Sequence, residues 1–206
     1  MLQLLAATTN KNKIREFQEM FSEITDKVTI VSPDIMGGLP EIIEDGTTFE
    51  ENSAIKAKEA SRYADMSAFA DDSGLEVDAL NGEPGINSAR YAGPDATDAD
   101  RIAKLLKNME GKTNRKARFV CVISLAYRGN LAAQFRGEVE GTIIDAPRGE
   151  NGFGYDPVFV PDGYDKTFAE LGPEVKDAIS HRGKAFAMAA NFVKEELSTM
   201  DDFEFV

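Results

Sequence analysis

The sequence predicts an α/β fold, a mixed central sheet flanked by helices, and three observations carry that expectation. The chain opens on a short continuous apolar run, Leu2 to Ala7, of the kind that forms a strand buried on both faces. Strand-like and helix-like segments alternate early, as in a sheet covered by helices. In the middle, Ala117 to Tyr127 is apolar on both faces and rich in Val and Ile, and Leu131 to Ile144 alternates well enough to pair with it across Arg128-Gly129-Asn130.

Each element follows in order. After the polar stretch Thr8 to Lys13, the residues Ile14, Phe17, Phe21 and Ile24 recur at helical spacing and predict an amphipathic helix. Lys27 to Val31 is a second short strand, rich in β-branched residues. Residues 32 to 47 hold two prolines and three glycines and form a loop. Thr47 with Glu50, or Thr48 with Glu51, has capping-box spacing, and an alanine-rich helix carrying Lys56 and Lys58 runs on to about Ala64. Ser67 to Ala70 is a brief strand expected to end at Asp71-Asp72-Ser73-Gly74. Asn81 to Gly93 is a loop, and Ala96 to Met109 a helix begun by Thr97 or Asp98. Beyond the strand pair, Ala146 to Pro157 is a glycine-rich loop and Thr167 to Ile179 is partly helical. Gly183 to Leu197 is a last helix with Phe186, Ala190, Val193 and Leu197 on one face, and Asp201 to Val206 a frayed tail. No linker interrupts this order, so the chain is expected to form a single domain, 1–206. The long strand pair has the length to carry a second lobe, with a cleft between lobes.

Charge narrows the function. The 206 residues hold 23 Lys plus Arg against 36 Asp plus Glu, a formal net charge of -13. No broad grip on nucleic acid is expected from that balance, because such a grip needs many cations facing phosphates. A small polyanion held in a local basic pocket or through a metal ion remains compatible with it. One cysteine and one histidine exclude an intramolecular disulfide and a Cys- or His-rich metal cage. The start of the chain has no basic leader region, and no apolar stretch approaches the roughly 20 residues of a membrane span. The expectation is a cytoplasmic protein with no membrane partner.

Five stretches carry residues with chemistry. Thr8-Thr9-Asn10-Lys11-Asn12-Lys13 joins the first strand to the first helix, where backbone amides and a lysine make a natural phosphate site; a plain capped helix is the competing reading. Asp71 and Asp72 are adjacent, so on a strand they point to opposite faces and address one site only if the strand ends there. Acidic groups at a strand end in such folds commonly hold Mg²⁺. Glu44, Glu50, Glu51 and Asn52 flank the helix that leads toward Asp72, where the helix dipole alone also favours glutamates. Gly152-Phe153-Gly154-Tyr155-Asp156-Pro157 is a loop able to approach a flat ring, with Phe153 to stack on it and Asp156 to accept from a base or ribose. Lys176 and Ser180-His181-Arg182-Gly183 set the only histidine beside an arginine at the start of the last helix, which favours a neutral imidazole. Cys121, inside an apolar run, has the position of an inert packed thiol.

Together these stretches resemble one family, the inosine triphosphate pyrophosphatases, also called Ham1-like or dITP/XTP pyrophosphatases. The resemblance rests on Thr8-x-Asn10-x-x-Lys13, Gly46-x-Thr48-Phe49-x-Glu51-Asn52, and Ala70-Asp71-Asp72-Ser73-Gly74-Leu75 with Pro84-Gly85-x-x-Ser88-Ala89-Arg90-Tyr91. It rests further on Gly152 to Pro157 and on Ala178-Ile179-Ser180-His181-Arg182-Gly183, and it covers nearly the whole chain. It implies an elongated two-lobed α/β fold around a cleft, usually a homodimer. It also implies Mg²⁺-dependent hydrolysis of a nucleoside triphosphate, with ITP, dITP or XTP as substrate, to the monophosphate and pyrophosphate. In that family's terms Asp72 is the general base and a metal-linked carboxylate, Glu44 its metal partner, and Ser73 lies at the substrate. Thr8, Thr9, Asn10, Lys11, Asn12 and Lys13 hold phosphates. Phe153, Gly154, Tyr155 and Asp156 contact the nucleoside, and Lys176, His181 and Arg182 the base. Thr9 and Asn12 depart from the glycines common in that first loop, and Ile43 stands where many relatives carry a second acid. A Maf-like pyrophosphatase with another base preference and a nucleotide sensor without turnover are the rival readings.

Overall fold

The computed structural model describes residues 2–8, 11–24 and 26–199, with the backbone alone at 11, 12, 16, 23, 24, 173, 177 and 197–199. In chain order the elements are β1 Leu2–Ala6, α1 Lys11–Ile24, β2 Val28–Val31, α2 Phe49–Ala64, β3 Ser67–Val77, α3 Asp98–Asn108, β4 Lys116–Tyr127, β5 Asn130–Ile143, β6 Phe159–Pro161, α4 Pro173–Ile179 and α5 His181–Thr199. The strands form one sheet in the order β2-β1-β3-β4-β5-β6. β1 is parallel to β2 and to β3, with Leu5 opposite both Val31 and Ala68, whereas β6 is antiparallel to β5. The sheet is therefore mixed and the class is the expected one. Among the described residues no helix is long and apolar enough to cross a membrane.

The chain divides into two compact units. The first comprises the residues up to Asp72, Val122–Arg136 and the chain from Ala185 onward. Its aromatic core follows from the helical period of α1: Phe17 and Phe21, one turn apart, are both buried. Phe17 meets Phe69 of β3 edge-on at 4.7 Å and stacks on Phe186 of α5 at 5.0 Å. α2 packs through small residues instead, with Ala57 and Ala60 fully buried, so its backbone lies close to the strands. Thr48 caps α2, its Oγ1 accepting from Glu51 N at 3.1 Å. The Glu51 carboxylate turns back one residue further, accepting from Thr47 N at 2.6 Å and Thr47 Oγ1 at 2.8 Å. Beneath α2, Ser53 and Ser124 share a hydroxyl hydrogen bond of 2.7 Å in the fully buried layer. Gln134 Nε2 donates to Ser124 Oγ at 2.9 Å and to the Glu50 carbonyl at 2.8 Å. The β4–β5 turn is two residues, Arg128 and Gly129, with φ of 47° and 78°. Positive φ at both central residues matches the twist of a tight hairpin.

The second unit comprises Ser73–Cys121 and Gly137–Lys184. Its core gathers Leu75, Val77, Leu105, Met109, Phe119, Val158, Phe159 and Phe168. α3 begins at a full capping box, Thr97 with Asp100, so Thr97 and not Asp98 is the cap.

Two expectations need correction. β3 does not end at Asp71-Asp72-Ser73-Gly74 but runs through to Val77, because Leu75 and Val77 alternate into the second core and Ser88 Oγ accepts from Leu75 N at 2.9 Å. β6 was not anticipated; its three residues, ending on Pro161, are too few to show a period. Leu197 lies beyond the described side chains and Asp201 to Val206 outside the described residues.

Candidate active site

The first unit gathers two lysines and three carboxylates. Because β3 continues, its pleat sends Asp71 and Asp72 to different partners, as alternation requires. Lys13 of α1 donates to both Asp71 oxygens, at 3.0 and 2.7 Å, and the Asp71 side chain is only 3% exposed. Lys56 of α2 lies 3.2 Å from Asp72 Oδ1 and 3.0 Å from Glu44 Oε2. Glu44 sits in the loop before α2, and that loop is tethered: Asn52 Oδ1, buried in α2, accepts from Gly46 N at 2.9 Å. A Cβ on Gly46 would fall 2.6 Å from the same oxygen, which explains the glycine there. Glu51 and Asn52, weighed as possible site groups, are thus the fastenings of the strand-to-helix loop that delivers Glu44.

Burial dominates the electrostatics. It pushes the Asp72 carboxyl above its ordinary range; Lys56 opposes this by charge and hydrogen bond, while Glu44 and Asp71 add to it. For Lys56 burial pulls the ammonium down, but Asp72, Asp71 and Glu44 together outweigh it and the net shift is upward. Both partners rise because the lysine has three anions near it and Asp72 one cation against its own burial. Asp72 Oδ2 is buried and, among the described residues, accepts no hydrogen bond. A buried carboxylate oxygen without a donor is an exception that calls for a ligand or a chemical role.

That orphaned oxygen also tests the fit of a metal. The donors at hand are carboxylate oxygens, the type a hard divalent cation takes, and Lys56 Nζ already shows that Glu44 and Asp72 converge on one cation. No group of three or more His, Cys, Asp or Glu side chains is gathered as a cage among the described residues. Mg²⁺ is suited to such a site, since it commonly uses one or two carboxylates and completes its shell with water and phosphate. Asp72 and Glu44 fit it.

Of the first loop, Thr9 and Asn10 lie outside the described residues, and Lys11 and Asn12 are described only as the backbone opening α1. Thr8 is half-buried at the end of β1, its N–H donating to the Ala6 carbonyl. Ser73 is half-buried on β3 directly after Asp72.

The second unit gathers the remaining candidates around Phe153. Its ring is 58% exposed, with Lys176 Nζ 4.7 Å and the Arg182 guanidinium 5.5 Å from its centroid. Exposed aromatic rings flanked by cations are well suited to a flat, electron-rich ligand. Asp156 is buried, and its Oδ2 accepts from Lys176 Nζ at 2.6 Å and Phe153 N at 2.9 Å. It braces the loop and aims the lysine. Tyr155 is buried as well, donating to the Ser88 carbonyl at 2.9 Å; burial raises its phenol above the usual range. Gly154, with φ of 61°, supplies the left-handed turn between them. His181 opens α5, buried, with its imidazole stacked on Phe119 at 4.9 Å, and Arg182 is 6% exposed. Ser180 Oγ accepts from Gly183 N at 3.0 Å and so caps that helix. Sequence reasoning missed one contributor: Asp98 of α3, whose Oδ2 accepts from Gly154 N at 2.7 Å. Its position in a helix first turn gave no signal beyond the helix dipole.

Comparison with known proteins agrees over nearly the whole chain. The Ham1 family model matches residues 4–192. A dITP/XTP pyrophosphatase of Desulfotalea psychrophila is 49% identical over 184 residues, 89% of this chain and 82% of that protein. One from an Exiguobacterium species is 48% identical over 186 residues, 89% and 93% of the two chains. The structure of the Staphylococcus aureus Ham1 protein is similar with a TM-score of 0.87 at 42% identity, covering 94% of this chain and 99% of that one. On a family match of that length and relatives of that identity, the chain belongs to the Ham1 family.

Proposed function

We propose that this chain is a nucleoside triphosphate pyrophosphatase that hydrolyses ITP, dITP and XTP to the monophosphate and pyrophosphate. The observation that carries the reading is the orphaned oxygen of Asp72, a buried carboxylate with raised proton affinity beside Lys56. The names of its relatives support the same reaction. Asp72 orients the attacking water and takes its proton as the new bond to the α-phosphorus forms. The bond from that phosphorus to the bridging oxygen breaks, and pyrophosphate carries the electron pair away. A Mg²⁺ on Asp72 and Glu44 would neutralise charge on the leaving group. Lys13 and Lys56 hold phosphate oxygens, with the first loop, Thr8 to Lys13, lending backbone amides. A base whose affinity for protons is raised by burial is better matched to neutral pH than a solvated aspartate.

The second unit handles the nucleoside. Phe153 stacks on the base, and Arg182, Lys176 and His181 supply donors to the 6-oxo group and N7 of hypoxanthine or xanthine. Adenine presents an amino donor there and leaves those groups unpaired, so ITP, dITP and XTP are favoured over ATP. GTP shares the 6-oxo group and is rejected at position 2. The family resemblance supports a homodimer acting on the cytoplasmic nucleotide pool as one functional domain.

The test is a panel of nucleoside triphosphates with Mg²⁺, scored for pyrophosphate against orthophosphate. Pyrophosphate from ITP and XTP, with little from ATP or GTP, is the expected result; orthophosphate release would refute it. Asp72→Asn should stay folded and lose about 10²–10⁴ in kcat, the range of a general base. Full activity in excess EDTA would remove the metal from the reading.

A further inference from the structure

We propose that Asp98 is a positioning residue for nucleoside recognition: its carboxylate, delivered by α3, sets the loop that presents Phe153. The inference rests on the proposed nucleotide hydrolysis and adds to it a residue outside every motif that suggested it. Asp98 Oδ2 accepts from Gly154 N at 2.7 Å, while its Oδ1 pairs with Arg101 one turn along the same helix. Asp98 is the first residue of α3, directly after the Thr97 cap, and its carboxylate is held by its own contacts with Gly154 and Arg101 rather than by the capping box. From the other side Asp156 Oδ2 holds Phe153 N. Two successive backbone amides, at Phe153 and Gly154, are thus gripped by two different carboxylates. The peptide between them is fixed, and the Phe153 ring is held where Lys176 and Arg182 flank it.

Neither grip touches reacting atoms, so loss of Asp98 should act on binding. Hydrogen bonds to charged groups are strong enough that about tenfold is the expected scale. Asp98→Ala should raise KM for ITP about tenfold and change kcat by less than about twofold. Asp98→Asn keeps an acceptor and should restore most of the affinity. Asp100→Ala is the control, because it weakens the start of α3 and leaves the Asp98–Gly154 bond in place. It should lower Tm with KM unchanged.

One readout needs no turnover. The Gly154 amide proton, held by a carboxylate, should move upfield in the NMR spectrum of Asp98→Ala and stay in place in Asp100→Ala. An unchanged Gly154 resonance or an unchanged KM in Asp98→Ala would overturn the inference, as would an equal rise in KM from Asp100→Ala. If the wild-type chain releases no pyrophosphate from ITP, the proposed reaction fails by itself, and the Gly154 resonance still decides whether Asp98 grips the loop.

Discussion

Lys56 now occupies the place where Glu44 and Asp72 converge, and removing its charge should trade stability for cation affinity. Lys56→Met keeps the aliphatic stem that α2 buries and deletes only the ammonium. Breaking a buried ion pair by removing one partner costs about 3–5 kcal/mol. Lys56 and Asp72 are each 15% exposed, but Glu44 is 35% exposed and water can partly compensate it, so about 2–3 kcal/mol is the better figure. For a chain of this size that is a fall in Tm of about 5–10 °C in EDTA. The two carboxylates then face each other without a counter-charge, and a divalent cation can enter without displacing anything. Mg²⁺ should therefore raise the Tm of the variant several degrees more than that of the wild type. Thermal denaturation followed by circular dichroism, in EDTA and across a Mg²⁺ titration, measures both effects. Equal Tm values for the two proteins in EDTA, or an equal Mg²⁺ effect on them, would refute the assignment of Glu44 and Asp72 to one cation.

The other predictions concern the second unit. Arg182→Ala should lower kcat/KM for ITP and XTP and shrink their advantage over ATP without admitting GTP; an unchanged ITP-to-ATP ratio would show that the base is read elsewhere. Gly152 has φ of 79°, and a Cβ there would fall 2.1 Å from Asp156 Oδ2. Gly152→Ala should thus cost about 1–2 kcal/mol from backbone handedness alone and raise KM as Asp156 is pushed from Lys176, measured by Tm and by kinetics. Tyr155 has its phenol raised by burial, so its stabilisation is present below the ordinary value near 10 and lost as pH climbs toward the folded value. Tyr155→Phe should lower Tm at pH 8 through the lost Ser88 bond, and show a shallower decline above about pH 10 than the wild type.

What was legible in the sequence follows the physics of each element. α1 showed itself because Phe17 and Phe21 keep the helical period over a long enough window, and the start of α3 because Thr97 and Asp98 are both residue types that begin helices, the structure making Thr97 the cap. The pleat rule was legible too: Asp71 and Asp72 had to diverge on a continuing strand, and they do, toward Lys13 and Lys56. The error lay in ending the strand at Asp71-Asp72-Ser73-Gly74, since its continuation depends on Leu75 and Val77 finding a core made by distant segments. Local propensity cannot show that. Glu44 and Lys56 were legible as residue types only. What joins them is Asn52 holding Gly46, a side-chain-to-backbone bond with no pattern in composition. Asp98 was hidden for the opposite reason: a ready local explanation as a first-turn acid covered a long-range bond to Gly154.

The hydroxyl pair beneath α2 bears on how Lys56 is aimed at Glu44 and Asp72. Ser53 precedes Lys56 by nearly one helical turn, and its bond to Ser124, itself held by Gln134, indexes α2 beside the buried Ala57 and Ala60, as does Ser61 Oγ accepting from Gly129 N at 2.9 Å. Alanine surfaces resist rotation poorly, because sliding one over another changes few contacts. Each residue of slip would swing Lys56 by about 100° about the helix axis, far outside reach of Asp72. Rotation of α2 would break the Ser53–Ser124 bond and leave each hydroxyl with its second partner alone, the Glu50 carbonyl for Ser53 and the Gln134 amide for Ser124. Part of the angular aim of the ammonium is thus set one turn away, by the hydroxyl bond between Ser53 and Ser124.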